Sequence, residues 1–161
     1  MNTSTSLYTA DQIKQRLNRA HQLLESSLFD PTSLDTGSWK VAFAELIMVS
    51  DELLNQSQQL GHRIDFYEGV GVSGKIQDIT SLVEWMRACL PVSIADLAGQ
   101  LTTQRLNRYF NQGTGYFANG SFFTGEFDNE LALFIDDQRI YLKRQLGRAI
   151  QEAEPYLLHL N

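Results

Sequence analysis

The stretch from Trp39 to Leu60 constrains the fold more than any other part of this chain. Trp39, Phe43, Leu46, Val49, Leu53 and Leu60 fall at helical spacing. Val41, Ala44, Ile47 and Met48 add apolar surface on the remaining sides. A helix that is apolar around most of its circumference is stable only when other elements surround it. The rest of the chain is therefore expected to wrap this helix. Ser38 caps its start in this reading. Gly61 ends it, because glycine enters the left-handed conformation without a side-chain clash.

The flanking segments supply the wrapping. Thr9 followed by Gln12 reads as a capping box. Ile13, Leu17, Ala20, Leu24 and Leu28 then form one stripe on a helix of about 20 residues, which Pro31 stops. Asp30 to Gly37 is turn-rich, and Arg63 to Tyr67 reads as extended. Ile76, Ile79, Val83, Met86 and Leu90 predict a third helix before Pro91. Ser93 with Asp96 opens a fourth, with Ile94, Leu97, Ala98 and Leu101 on one face, running to near Phe110. Asn119-Gly120 lies between Tyr116-Phe117-Ala118 and Ser121-Phe122-Phe123, which predicts a two-residue hairpin turn with positive φ at both positions. Asp128 caps a final helix carrying Leu131, Ile135, Leu142, Leu146, Ile150 and Ala153, which Pro155 ends or kinks. The expected architecture is mostly α: an antiparallel bundle of about five helices with one short β-hairpin near 116–123. It forms a single helical domain over 9–161, behind a flexible arm over 1–8.

Composition narrows the classes of function. A chain of 161 residues with 43% hydrophobic and 20% charged residues suits one ordinary globular domain. A formal charge of −6 keeps such a domain soluble and disfavours nucleic acid as a partner. Cys89 is the sole cysteine, so no internal disulfide forms. Met86 lies one turn earlier on the same face, and the thiol is expected to pack as a small hydrophobe. Residues 1–6 lack the basic region and apolar core of a secretory leader. No apolar run approaches the ~18–20 residues needed to span a bilayer. The expected location is the cytoplasm, with no membrane contact.

Two short motifs point to phosphate chemistry. Gly69-Val70-Gly71-Val72-Ser73-Gly74-Lys75 has the G-x-x-x-x-G-K spacing, and Leu131 to Asp136 follows as an apolar run ending in aspartate. The pair resembles the two nucleotide-binding motifs of P-loop NTPases, although Ile76 stands where that family has a magnesium-binding Ser or Thr. The resemblance implies that backbone amides around Gly71, Ser73 and Gly74 cradle an anion and that Lys75 adds charge. Separately, Arg16-Leu17-Asn18-Arg19-Ala20-His21 resembles the catalytic motif of HEPN-type RNases, which are helical bundles. That resemblance implies that Arg16 stabilises phosphate charge and His21 moves a proton. In that family the motif lies late in the chain, whereas here it lies in the first helix.

Other clusters have plainer explanations. His21, His62 and His159 are far apart, without the spacing of a metal site, so neither a metal nor a cofactor is expected. Glu45, inside the apolar second helix, is expected to pair with an arginine. Glu126, Asp128 and Glu130 suit the positive end of the final helix. Arg139, Lys143, Arg144 and Arg148 make a solvated basic strip along it.

The aromatic residues say most about function. Tyr109, Phe110, Tyr116, Phe117, Phe122, Phe123 and Phe127 crowd one short segment. A hairpin sends neighbouring side chains to opposite faces, so Phe122 and Phe123 must diverge. One face covers the body of the protein, and the other stays exposed unless a partner covers it. Tyr116, Phe117, Phe122, Phe123 and Phe127 are therefore the candidate interaction residues. The favoured expectation is a non-enzymatic protein-interaction module, binding another protein or a second copy of itself. A phosphate-binding protein using 69–75 and an RNase using Arg16 and His21 are the alternatives.

Overall fold

The structure is a computed structural model that describes residues 8–32, 37–90 and 105–158. Helix α1 spans Ala10–Leu24, α2 Ser38–Gln59, α3 Ile79–Ala88 and α4 Arg148–Leu157. The apolar α2 is the axis of the molecule and packs against each of the other three. Its Phe43, Leu46, Ile47 and Leu53 are fully buried. At α1, Thr9 Oγ1 accepts from the Gln12 amide at 3.2 Å and Gln12 Oε1 accepts from the Thr9 amide at 2.9 Å. The helix ends at Leu24 rather than continuing to Leu28, because Ser26 caps a short 3-10 turn over Ser27–Phe29. Gly37, not Ser38, holds the cap position of α2. At α3, Asp78 Oδ1 accepts from the Ser81 amide and Ser81 Oγ from the Asp78 amide, both at 2.9 Å.

The second half of the chain is not helical in the way its spacing suggests. Strand β1 is Leu106–Phe110, β2 Gly113–Tyr116, β3 Phe122–Gly125, β4 Leu131–Ile135 and β5 Gln138–Tyr141. Strands β1, β4 and β5 form an antiparallel sheet in the order β1-β4-β5, and β2 and β3 form a separate antiparallel ribbon. The expected mostly α, five-helix bundle with one hairpin is thus corrected to an α+β fold. Among the described residues it has four helices and five strands.

Each departure has a local cause. The final helix was expected from Asp128, but 131–141 folds as the β4–β5 hairpin, and regular α-helix begins only at Arg148 after a π-type stretch over Leu142–Gly147. Every residue of β4 is buried. A strand covered on both faces shows no alternation, so a short apolar run cannot be told from helix by period. Asp136, at φ 54°, makes the turn with Asp137, and aspartate tolerates that conformation. Leu106–Phe110, expected as the end of the fourth helix, is β1, while Ser93, Ile94, Asp96, Leu97, Ala98 and Leu101 lie outside the described residues. The turn at Asn119-Gly120 has three residues rather than two. The Phe117 amide donates to Ser121 O at 2.9 Å, and of the pair only Gly120 has positive φ, 87°. That is the three-residue loop with a glycine bulge.

The sheet separates two cores. Leu106, Leu131, Leu133, Ile135 and Ile140 join the large cluster with the helices. Ala132, Phe134 and Tyr141 face the other way and meet Phe123 of the ribbon. The layers are helices, three-stranded sheet and two-stranded ribbon.

The α2–α3 side carries an acid under strain. Burial, and next the nearby Glu84 carboxylate, push the Asp51 carboxyl up to about 6. Its folded value lies above its unfolded one, so the folded state holds the proton more tightly. The stability linked to that proton is fully present below about pH 4 and lost as pH rises through about 6. A displacement of this size is worth at most about 3 kcal/mol. Asp51 is only half-buried, and solvent screening leaves about 1 kcal/mol. Asp51→Asn is expected to stabilise the protein by about that amount at pH 8 and by nothing at pH 4. Urea unfolding of both proteins at the two pH values checks it.

Candidate interaction surface

The ribbon has two chemically different faces. The Phe117–Ser121 bond sets the alternation, so Gly113, Gly115 and Phe117 face inward with Phe123 and Gly125. Phe123 stacks on Phe117 with ring centroids 4.4 Å apart and lies 4.5 Å from Tyr109 and 6.2 Å from Phe134. Aromatic contacts of this kind add to simple burial. The inner face can approach this closely because glycine occupies it: a Cβ on Gly113 would sit 2.0 Å from the Tyr109 hydroxyl oxygen.

Thr114, Tyr116, Phe122 and Thr124 form the outer face. Tyr116 is 74% exposed and Phe122 50% exposed, and their rings meet edge to face at 5.4 Å. Phe127 lies elsewhere, half-buried, with its ring 5.3 Å from Tyr141 and 3.6 Å beneath the Arg144 guanidinium. Of the five aromatic candidates, Tyr116 and Phe122 face solvent, whereas Phe117, Phe123 and Phe127 pack inward.

Arg139 holds one edge of the ribbon. It donates to Thr124 O at 2.6 Å and to Gly69 O at 3.3 Å, with its guanidinium 4.6 Å from the Tyr141 ring centroid. Gly69, Gly71, Phe122, Thr124 and Gln138 line a cavity of about 210 Å³ around it. The tertiary fold thus brings the glycine-rich loop beside the aromatic hairpin, which sequence spacing alone did not connect. Within that loop Ser73 and Ile76 exchange both backbone bonds at 3.0 Å around Gly74 and the exposed Lys75. The start of α3 already holds a carboxylate. Burial pushes the Asp78 carboxyl up, but Arg63 at 2.9 Å and the Ser81 amide outweigh it and hold the acid below its usual value.

Arg16 and His21 do not share a site. Arg16 lies 3.9 Å from the Tyr8 ring centroid and 3.4 Å from Glu52 on α2. His21 Nε2 meets Glu154 Oε1 on α4 at 2.7 Å, beside a groove of about 700 Å³ that includes Lys143 and Gln151. The basic strip is not on one helix, because Arg139 belongs to β5. All four members face acids: Arg139 with Glu126 at 3.9 Å, Lys143 with Glu25 at 3.6 Å, Arg144 with Glu130 at 3.7 Å, and Arg148 with Glu68 at 2.7 Å and Glu152 at 2.6 Å. Glu130 is buried and accepts from the Arg144 amide at 3.1 Å, in the first turn of the Leu142–Gly147 stretch, so it meets the start of the last helical segment, which begins later in the chain than expected. Glu45 pairs with Arg19 through two contacts.

Cys89 is half-buried against the large core. His62 stacks on Tyr156 at 3.9 Å, and His159 lies outside the described residues. Among the described residues no three His, Cys, Asp or Glu side chains are grouped to hold a metal ion, and no helix is long and apolar enough to cross a membrane. No protein-family model, curated protein or solved structure matches the chain.

Proposed function

We propose that this protein is a protein-binding module and that the outer face of the β2–β3 ribbon is its contact surface. One observation carries the reading: Tyr116 and Phe122 stand side by side in solvent, 74% and 50% exposed, on a ribbon held from behind by packed aromatic rings. Large aromatic side chains on a rigid support supply contact area at low entropic cost, and they are enriched among residues that dominate binding energy. Neither ring has an intramolecular duty that requires this exposure.

Replacing both residues with serine tests the assignment. Tyr116→Ser/Phe122→Ser is expected to change folding stability by no more than about 1 kcal/mol, since both rings are at least half exposed and neither belongs to the buried core. A photo-crosslinking phenylalanine analogue at position 116, used in cells, is expected to give a discrete adduct that Phe122→Ser removes. An adduct pattern unchanged by Phe122→Ser, or no adduct at all, overturns the assignment.

A further inference from the structure

We infer that the partner is a second copy of this chain, joined through the free edge of β2 in an antiparallel pair centred on Gly115. This rests on the reading of the ribbon as a contact surface and names what it contacts.

The first ground is the unused backbone of β2. In an antiparallel pair, residues alternate between those bonded to the partner strand and those whose amide and carbonyl point away. Phe117 bonds to Ser121, so Gly115 bonds to Phe123 and Gly113 to Gly125. The backbone groups of Thr114 and Tyr116 therefore point outward. Among the described residues, no hydrogen bond reaches them. On the opposite edge, Thr124 O points outward in the same way and is taken by Arg139. One edge of the ribbon is closed, and the other is open.

The second ground is that neither charge nor proline guards this edge. Natural sheets blunt an exposed edge with lysine, proline, a bulge or a covering element. From Asn111 to Gly125 the chain has no Asp, Glu, Lys, Arg or Pro. Thr114 is exposed on the open edge. Such an edge is a template for another strand.

The third ground is self-complementarity. With Gly115 opposite its own counterpart, Thr114 of each copy exchanges both backbone bonds with Tyr116 of the other. A two-fold axis through the glycine pair generates the second exchange, which is the closed, isologous form most homodimers take. Glycine puts no side chain at the axis, and Tyr116 falls beside the threonine of the other copy, a favourable cross-strand pair. Each copy carries a formal charge of −6, which opposes association at long range. The neutral ribbon keeps like charges off the seam, and salt at physiological strength screens charges beyond about 8 Å. Association is therefore expected to strengthen as salt is raised.

Sedimentation velocity on the full chain, over a wide range of concentration and at two salt levels, tests the proposal. The wild type is expected to shift from one chain to two with rising concentration. Thr114→Lys, which puts a charge on the exposed edge, is expected to remain a monomer throughout, with a thermal midpoint equal to that of the wild type at concentrations where both are monomers. Amide exchange supplies a readout that needs no variant: Thr114 and Tyr116 amides are expected to slow by at least about tenfold at dimer-forming concentration, with Gly115 unchanged. A wild type that stays monomeric at all concentrations overturns the proposal, as does a dimer whose Thr114 and Tyr116 amides exchange as in the monomer. A dimer broken by Phe122→Ser but indifferent to Thr114→Lys also overturns edge pairing, while leaving the outer face as the contact surface. A monomeric wild type that still gives the Phe122-dependent adduct to a different protein does the same. Failure of both experiments removes both readings.

Discussion

Phe134→Ala is expected to lower the free energy of unfolding by about 3–5 kcal/mol, the range for truncating a buried phenylalanine when its surroundings cannot collapse into the space. Phe134 is 1% exposed on the face of β4 that meets the ribbon. Its ring lies 5.0 Å from Phe117 and 6.2 Å from Phe123, both edge to face. These rings are rigid and already in contact with one another, so they cannot fill the gap without tilting the ribbon. The variant should therefore lose near-ultraviolet aromatic ellipticity along with stability, while the helices keep their far-ultraviolet signal. Urea unfolding gives the magnitude. A loss below about 1 kcal/mol would mean that the ribbon is not docked on the sheet, and the rigid support claimed for Tyr116 and Phe122 would be gone.

Gln145→Leu is expected to cost about 1–3 kcal/mol, for a different reason. Gln145 is fully buried, and its two ends serve different elements. Its Oε1 accepts from the Tyr141 amide at 2.7 Å, and its Nε2 donates to Glu68 O at 3.1 Å. It thus caps the edge of β5 and ties the glycine-rich loop to the start of the last helix. Leucine has nearly the same volume, so little cavity forms. Most of the cost comes from the buried Tyr141 amide left without a partner, at about 1–3 kcal/mol, because Glu68 lies in an exposed loop where water reaches its carbonyl. Faster amide exchange at Tyr141, measured together with urea unfolding, separates this cause from a general loss of packing. An unchanged Tyr141 amide would show that water replaces the glutamine and that the key is dispensable.

The first half of the chain was legible because its signals are local. The capping box at Thr9 and Gln12, the stripe from Ile13 to Leu24 and the apolar circumference of α2 each need only a few turns of helix to be read. The pairing of Glu45 with an arginine was also legible, since an acid within an apolar helix has few other ways to be satisfied. The divergence of Phe122 and Phe123 followed from the two-residue repeat of a strand, and the structure places the first in solvent and the second in the core. What misled was the run Leu131 to Ile135. Leu131 and Ile135 stand four apart, as in a helix, and the polar Asp136-Asp137 step is one local sign of a hairpin. The second sign is the Gln-Arg-Ile-Tyr segment just beyond it, which has the length of a strand and lies within the span expected for the final helix.

The sequence by itself determined the helical frame around α2, the presence of a hairpin near Asn119-Gly120, and the need for its neighbouring aromatics to part. These depend on periods of a few residues and on backbone preferences that act within one turn. Only the tertiary structure decided that 131–135 is a strand, that the hairpin covers a sheet rather than a bundle, and which ring of each pair faces water. Those outcomes depend on contacts between β1 and β4, between Arg139 and Thr124, and between Gln145 and Glu68. The free energy of such long-range burial exceeds the local preference between helix and strand for a short apolar run, so the packing chooses.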